Sequence, residues 1–203
     1  MIYKALEDIK LMVKILVKDE RLPHIEGTVK FAKALAKIHS LDQKIAEFMG
    51  YAHDLFRDIS YEKLFKISKV YSIEITPHNL TNPILLHGKV AAEFVKRRFK
   101  IEDRDILTGI AFHTSGYKDF GIYGKILFLA DSLEETRTYP NVNKLRELAF
   151  KDIEVGYFEV LRNKIIYALS RDLLILPESV ESWNNLIVKK KGGWVWEVDE
   201  KAI

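Results

Sequence analysis

The sequence contains no cysteine, which excludes disulfide bonds and thiolate metal ligands and suits a reducing, cytoplasmic setting. It also lacks an excess of either charge. Lys and Arg number 32 against 29 Asp and Glu, and the resulting net charge of +3 is too small for the broad positive field of a nucleic-acid-binding protein. Attraction for an anionic ligand must then be local. Long apolar runs are missing too. The N-terminal stretch is broken throughout by Lys, Glu and Asp and so lacks the apolar region of a secretory signal. The most apolar segment, residues 126–130, is far too short to span a bilayer, so no membrane partner is expected. Period-two alternation is nearly absent before the last fifteen or so residues, and neither internal repeats nor low-complexity segments occur.

What is present is helical period. Ile25, Val29, Ala32, Leu35 and Ile38 recur at threes and fours, and Ile45, Phe48, Met49, Ala52 and Phe56 repeat the pattern after Asp42, a residue that favours a helix start. Leu86, Val90, Phe94 and Val95 share one side of a third helix, for which Pro83 is a plausible first residue. The next helix, in residues 103–116, stops at Ser115-Gly116. Residues 121–137 and the long run 141–172 continue the series on either side of Pro140, and a short helix follows Pro177. The expected fold is all-α, a single helical bundle. Its parts are an N-terminal amphipathic helix over 1–20 (Leu6, Ile9, Met12, Val13, Leu16), a main domain over 21–188 and a C-terminal tail over 189–203. The tail alternates around Gly192-Gly193 and fits a small hairpin, with Trp194 and Trp196 expected to pack on the domain or on a second copy, as in a homodimer.

Six histidines are present, and four of them fall at helix ends: His24 opens one helix, His53 closes the next, His87 lies early in a third and His113 ends a fourth. Helix ends face clefts and carry free backbone groups that hold anions. The doublet His53-Asp54, joined by Asp131 from a distant helix, fits an N/O metal centre in a helical cup, suited to iron, manganese or zinc acting on phosphate esters. His39 falls inside a helix and His78 after Pro77, and both are read as structural.

The order Arg21..His24, Ala52-His53-Asp54, Leu86-His87-Gly88, His113-Thr114-Ser115-Gly116 and Ala130-Asp131…Glu134..Arg137 resembles the HD-domain phosphohydrolases. More narrowly it is similar to the bacterial symmetrical dinucleoside tetraphosphatases, from about Arg21 to Leu186, including the segment 145–149 and the ending Pro177, Glu178, Ser179, Asn184. That resemblance implies a helical enzyme that binds iron or a similar divalent metal (manganese, zinc or nickel) and cleaves diadenosine tetraphosphate symmetrically to two ADP. It implies His24, His53, Asp54 and Asp131 as metal ligands, with His87 and His113 on the phosphate side, completing a second metal site or binding phosphate oxygens. A bound metal would lower the pKa of its water, making hydroxide available for attack on phosphorus. The general acid is left open between a histidinium at His87 or His113 and water.

A polyphosphate also needs local cations, and Arg21, Arg57 and Arg137 are the candidates, with pairing to Asp58 an equal alternative for Arg57. Thr114 and the amides of Ser115-Gly116 can donate to phosphate oxygens, and Leu174 and Ile175 can offer backbone edges to a base, although core packing is the stronger reading of the leucines there. Three positions depart from the family pattern. Tyr117 stands where a basic residue follows the His-Thr-Ser-Gly motif, so that the contact falls to Lys118 or is lost. Ser132 replaces an aromatic residue and Glu135 a proline. Glu134 is also explained as a surface carboxylate. The alternatives are another HD-class nucleotidase or phosphodiesterase, and a non-catalytic nucleotide-binding module.

Overall fold

Each apolar stripe finds a partner helix in the structure, a computed structural model that describes residues 2–190. Among these residues it forms eleven α-helices and no strand. They are α1 (Ile2–Leu16), α2 (Leu22–Ile38), α3 (Gln43–Ala52), α4 (Tyr61–Val70), α5 (Pro77–Thr81), α6 (Leu86–Phe99), α7 (Arg104–Phe112), α8 (Ile122–Leu133), α9 (Val142–Lys151), α10 (Ile153–Ser170) and α11 (Pro177–Lys190). The expected C-terminal hairpin and the packing of Trp194 and Trp196 lie outside the described residues. No helix among the described residues is long and apolar enough to cross a membrane.

Two apolar clusters fill the interior. One joins Leu6 and Ile9 of α1 to Ile25, Phe48, Leu86, Val90 and Ile110. The other joins Leu35 to Phe128, Leu129, Tyr157 and Val160. Helices α2, α3 and α8 contribute to both, so they are held along their length, and burial of each such side chain stabilises the fold by roughly 1.5–3 kcal/mol.

Local chemistry sets the helix limits. Asp42 caps α3 by accepting from the Lys44 N–H, and Asp103 caps α7 by accepting from the Ile106 N–H. The Gly116 N–H closes the turn after α7 on the Phe112 carbonyl, and Gly116 itself takes φ +76°, a conformation that glycine adopts without strain. The run 141–172 is two helices rather than one. Asp152 adopts an extended backbone between α9 and α10, and its carboxylate accepts from the N–H groups of Glu154 and Val155, capping α10. Pro83 opens a 3-10 turn (Pro83–Leu85) that leads into α6 rather than α6 itself. Helices α4 and α5 escape the apolar spacing: α4 buries only Leu64 and Ser68, and the five residues of α5 rest on a capping box between Thr76 and Asn79.

One buried charge ties α1 to the rest. Glu47 on α3 is 4% exposed and meets Lys10 of α1 at 2.8 Å, Lys33 of α2 at 3.1 Å and Lys44 at 3.4 Å. Burial pushes its carboxyl up, but Lys10 and Lys33 outweigh that and draw it from 4.5 down to about 2. A carboxylate depressed by folding adds stability at neutral pH and loses it as the pH falls from about 4.5 through about 2. Because the lysines are partly solvated, Glu47→Gln is expected to cost about 1–2 kcal/mol in urea unfolding at pH 7. The gap from wild type should close as the pH approaches 2.5 or so. A gap that stays constant over that range would assign the loss to packing instead.

Candidate metal centre

Four helix ends meet at one point. His24 is the third residue of α2, His53 follows the end of α3, His87 is the second residue of α6, and His113 follows the end of α7. Asp54 comes with His53, and Asp131 projects from the last turn of α8. His53, His87, His113 and Asp54 are all at most 4% exposed, and Asp131 is 9% exposed.

Asp54 sits between two histidine pairs. Its Oδ2 lies 3.7 Å from His24 Nε2 and 3.6 Å from His53 Nε2, while its Oδ1 lies 3.1 Å from His87 Nε2 and 3.6 Å from His113 Nε2. Asp131 Oδ1 closes the first group at 3.3 Å from His24 Nε2. The potential ligand atoms of His24, His53 and Asp131 all lie within 4.8 Å of one another, as do those of His53, Asp54 and His113.

The tautomers follow from the outer contacts. The Nδ1–H of His53 donates to the Gly50 carbonyl (2.7 Å), that of His87 to Ile84 (2.5 Å) and that of His113 to Ile110 (2.8 Å). His24 Nδ1–H donates to Glu134 Oε1 at 3.1 Å. Each Nε2 then points inward as a lone pair. Two such pairs face each other, His87 to His113 at 3.1 Å and His24 to His53 at 3.4 Å. Lone pairs at these distances repel unless a cation or a proton lies between them, and this arrangement of neutral imidazoles, each anchored through its other nitrogen, fits a metal ion.

The electrostatics agree with that fit. Burial pushes the Asp54 carboxyl up, but the imidazoles of His53, His113 and His87 hold it well below the usual carboxylate range. Burial likewise opposes ionisation of Asp131, which His24 and Lys164 reverse. Burial pushes His53 down to about 4 and lowers His87 as well. Ionised carboxylates and neutral imidazoles are the protonation states that bind metal. At His24 burial also lowers the pKa, yet Asp131 and Glu134 outweigh it and raise it, so proton and metal compete there.

Glu134 is not a surface carboxylate. It is fully buried, and besides His24 it accepts from the Thr136 N–H (2.7 Å) and hydroxyl (2.6 Å). Arg137 is held by the Asp131 carbonyl at 3.0 Å and Asp131 Oδ1 at 3.1 Å. The segment 145–149 has a structural role here: Arg146 of α9 donates to the carbonyls of Leu133, Glu134 and Arg137, fixing the turn that carries Arg137.

Among the other expected contacts, Arg21 bridges Asp54 (3.0 Å) and Asp58 (3.3 Å), so Asp58 pairs with Arg21 rather than with Arg57. Arg57 is half-buried just after Asp54. Thr114 and Ser115 lie on the turn after His113, where Ser179 of α11 donates to the Ser115 carbonyl at 2.7 Å. Tyr117 stacks flat on Phe112, and Lys118 is exposed and pairs with Glu181 at 3.3 Å. Leu174 is 52% exposed and Leu173 53% exposed, so these leucines are not core residues. The backbone at Asp172 turns left-handed (φ +53°) and carries them outward. Ile175 is half-buried next to them. His78 lies in α5, and the buried Nε2 of His39 has no hydrogen-bond partner among the described residues. One cation at the centre has no motif in the sequence: Lys164 of α10, 3.7 Å from Asp131 Oδ2.

Helix-end histidines gathered around one carboxylate in an all-α frame define a metallohydrolase of the HD class, and the family model described as "HD domain" matches residues 21–136. Proteins named symmetrical bis(5'-nucleosyl)-tetraphosphatase are similar over most of the chain. The one from Halalkalibacterium halodurans is 32% identical over 89% of this chain and 96% of its own length. The one from Bacillus subtilis is 28% identical over 89% and 97%. The crystal structure of a predicted HD superfamily hydrolase involved in NAD metabolism from Clostridium acetobutylicum superposes with a TM-score of 0.83. It is 27% identical and covers 90% of this chain and 97% of that one. The chain belongs to the HD-domain family and, within it, to the group of the symmetrical tetraphosphatases. It is a divalent-metal-dependent phosphohydrolase.

Proposed function

We propose that the protein hydrolyses dinucleoside polyphosphates, and that it cleaves diadenosine tetraphosphate symmetrically to two molecules of ADP. The observation that carries this is a pair of cavities, each about 430 Å³, that share Arg137. One reaches the centre at Asp131 and holds Ser132, Tyr139 and Tyr167, and the other reaches it at His24 and holds Lys18, Arg21 and Asp58. A substrate with a nucleoside at each end of a phosphate bridge needs two compartments that meet at the reacting phosphorus, whereas a mononucleotide needs one.

In this assignment His24, His53, Asp54 and Asp131 hold the metal, iron first, with manganese, zinc or nickel acceptable to the same donors. When bound, the metal supplies an activated water and polarises a phosphoryl oxygen. The chain does the rest. His87 and His113 present Nε2 lone pairs beside Asp54 Oδ1 and take a second cation or a proton from water. Arg137, and Arg21 on the far side, neutralise phosphate oxygens, with Arg57 adding positive charge behind them. Thr114 orients the bridge, and Ser115 shapes the turn beside it, although its amide and that of Gly116 donate to the Phe112 carbonyl rather than to phosphate. Lys118 lies at the outer edge, and Leu174 and Ile175 border a base. The water oxygen, giving up a proton, bonds to one central phosphorus as the bond from that same phosphorus to the bridging oxygen breaks, and the second ADP leaves carrying the bridging oxygen.

In this assignment residues 21–188 of a cytoplasmic protein carry the metal centre, with α1 packed into the same core and Lys18 lining one cavity, and a homodimer would pair through exposed apolar side chains such as Leu169. Incubation of the metal-loaded protein with diadenosine tetraphosphate should give ADP alone by ion-exchange chromatography. ATP with AMP would mean attack off centre, and an intact substrate alongside a dephosphorylated mononucleotide would assign the protein to another HD nucleotidase activity.

A further inference from the structure

Of the cations expected at the phosphates, Lys118 is turned to Glu181 at the surface and Arg21 is shared between Asp54 and Asp58. On the Asp131 side of the centre, that leaves Arg137 and one residue from a helix that no motif marks. Lys164 reaches from α10 across the face of Phe128, its Nζ 4.4 Å from the ring centroid. Its ammonium donates to the Thr114 carbonyl at 3.3 Å and lies 3.7 Å from Asp131 Oδ2. Asp131 thus has Lys164 at one oxygen and the Arg137 guanidinium at the other, 3.1 Å away. Lys164 also lines the Asp131-side cavity together with Arg137, and its side chain remains 32% exposed.

We propose that Lys164 is a phosphate-binding residue of this centre, whose ammonium takes a non-bridging oxygen of the polyphosphate that enters through the Asp131-side cavity. The proposal deepens the polyphosphate assignment and rests on it. A metal bound by Asp131 uses the charge that Lys164 and Arg137 otherwise neutralise, so both cations are then free for an anionic ligand. Packing on Phe128 fixes the stem of Lys164, so the ammonium moves only its last bonds to exchange the Thr114 carbonyl for a phosphate oxygen. This supplies, from α10, positive charge beside the turn after His113, where Tyr117 is committed to Phe112.

The rival account is structural, with Lys164 serving only to hold Asp131. Lys164→Met keeps the stem on Phe128 and removes the charge, and Lys164→Arg restores it. The probe is inorganic tripolyphosphate, titrated calorimetrically into metal-loaded protein, with metal content measured on the same samples. Loss of one charge-assisted contact is expected to raise the Kd of Lys164→Met at least about tenfold, with Lys164→Arg within about threefold of wild type and metal content equal in all three. KM for diadenosine tetraphosphate should rise in parallel. Tripolyphosphate affinity unchanged in Lys164→Met, or lost only together with the metal, overturns the proposal. A wild type that binds tripolyphosphate through Lys164 yet cleaves no dinucleoside tetraphosphate would instead retire the substrate assignment and leave Lys164 standing. A wild type that binds no tripolyphosphate overturns the proposal by itself.

Discussion

Asp54→Asn is expected to lower kcat for diadenosine tetraphosphate by at least about 10³-fold, since a bound metal supplies several kcal/mol of transition-state stabilisation at about 1.4 kcal/mol per decade. Most of the bound metal should be lost with it. Asp54 joins the two histidine pairs: one carboxylate oxygen faces His24 and His53, and the other faces His87 and His113. Asparagine keeps the shape but halves the acceptor capacity and removes the negative charge, and its NH2 would face Arg21 on one side or the Nε2 lone pairs on the other. Asp54 lies on the loop after α3, outside the two apolar clusters, so the variant should still melt cooperatively. Metal analysis beside single-turnover kinetics checks this. A variant that keeps its metal and turns over within tenfold of wild type would show that the two histidine pairs do not depend on the shared carboxylate.

Gly88→Ala is the second large effect, and it acts through the main chain. A Cβ at this position would lie 2.8 Å from the Ala111 carbonyl oxygen and 2.9 Å from that of Ile110. Both are backbone atoms of α7 and cannot rotate away, so α6 and α7 must separate. Alanine gains roughly 1 kcal/mol over glycine in a helix, but overpacking of this kind costs about 1–3 kcal/mol, and the sum is destabilising. Activity should suffer more than stability. The Ile110 carbonyl that the new methyl group strikes is the one that receives the His113 Nδ1–H, and Gly88 follows His87 directly. A displacement approaching 1 Å between His87 and His113 is expected to cost about 10²-fold in turnover at a temperature where the variant is still folded. Wild-type turnover together with a lowered melting temperature would show that the His87–His113 spacing is not critical.

Apart from α4 and α5, the helices and the six inward residues were legible because helical period and helix-end histidines are local signals. What stayed hidden depends on closure of the chain on itself. Ala149, Ile153 and Tyr157 step by four and all are buried, so the apolar period runs unbroken across Asp152 although the backbone does not. Glu134 looks solvated in sequence because its burial is made by α2, which lies 110 residues earlier and delivers His24 to it. Leu173 and Leu174 mislead in the opposite sense, since a left-handed residue before them turns an apolar run outward. Lys164 sits on a helix with little amphipathic contrast, and only the packing of α10 on α8 brings it to Asp131.

Three of the four imidazoles take their orientation from main-chain carbonyls, and every amino acid supplies one of those. A substitution at the half-buried Ile84 therefore leaves the anchoring oxygen of His87 in place, whereas at Gly50 a new Cβ would meet Val29 of α2 at 2.8 Å and disturb the carbonyl that holds His53. His24 alone leans on a side chain, and a single codon change at Glu134 removes its support. Among relatives with the same six inward residues, divergence in metal preference is accordingly expected to concentrate at Glu134 and at the residues that hold it, Thr136 first.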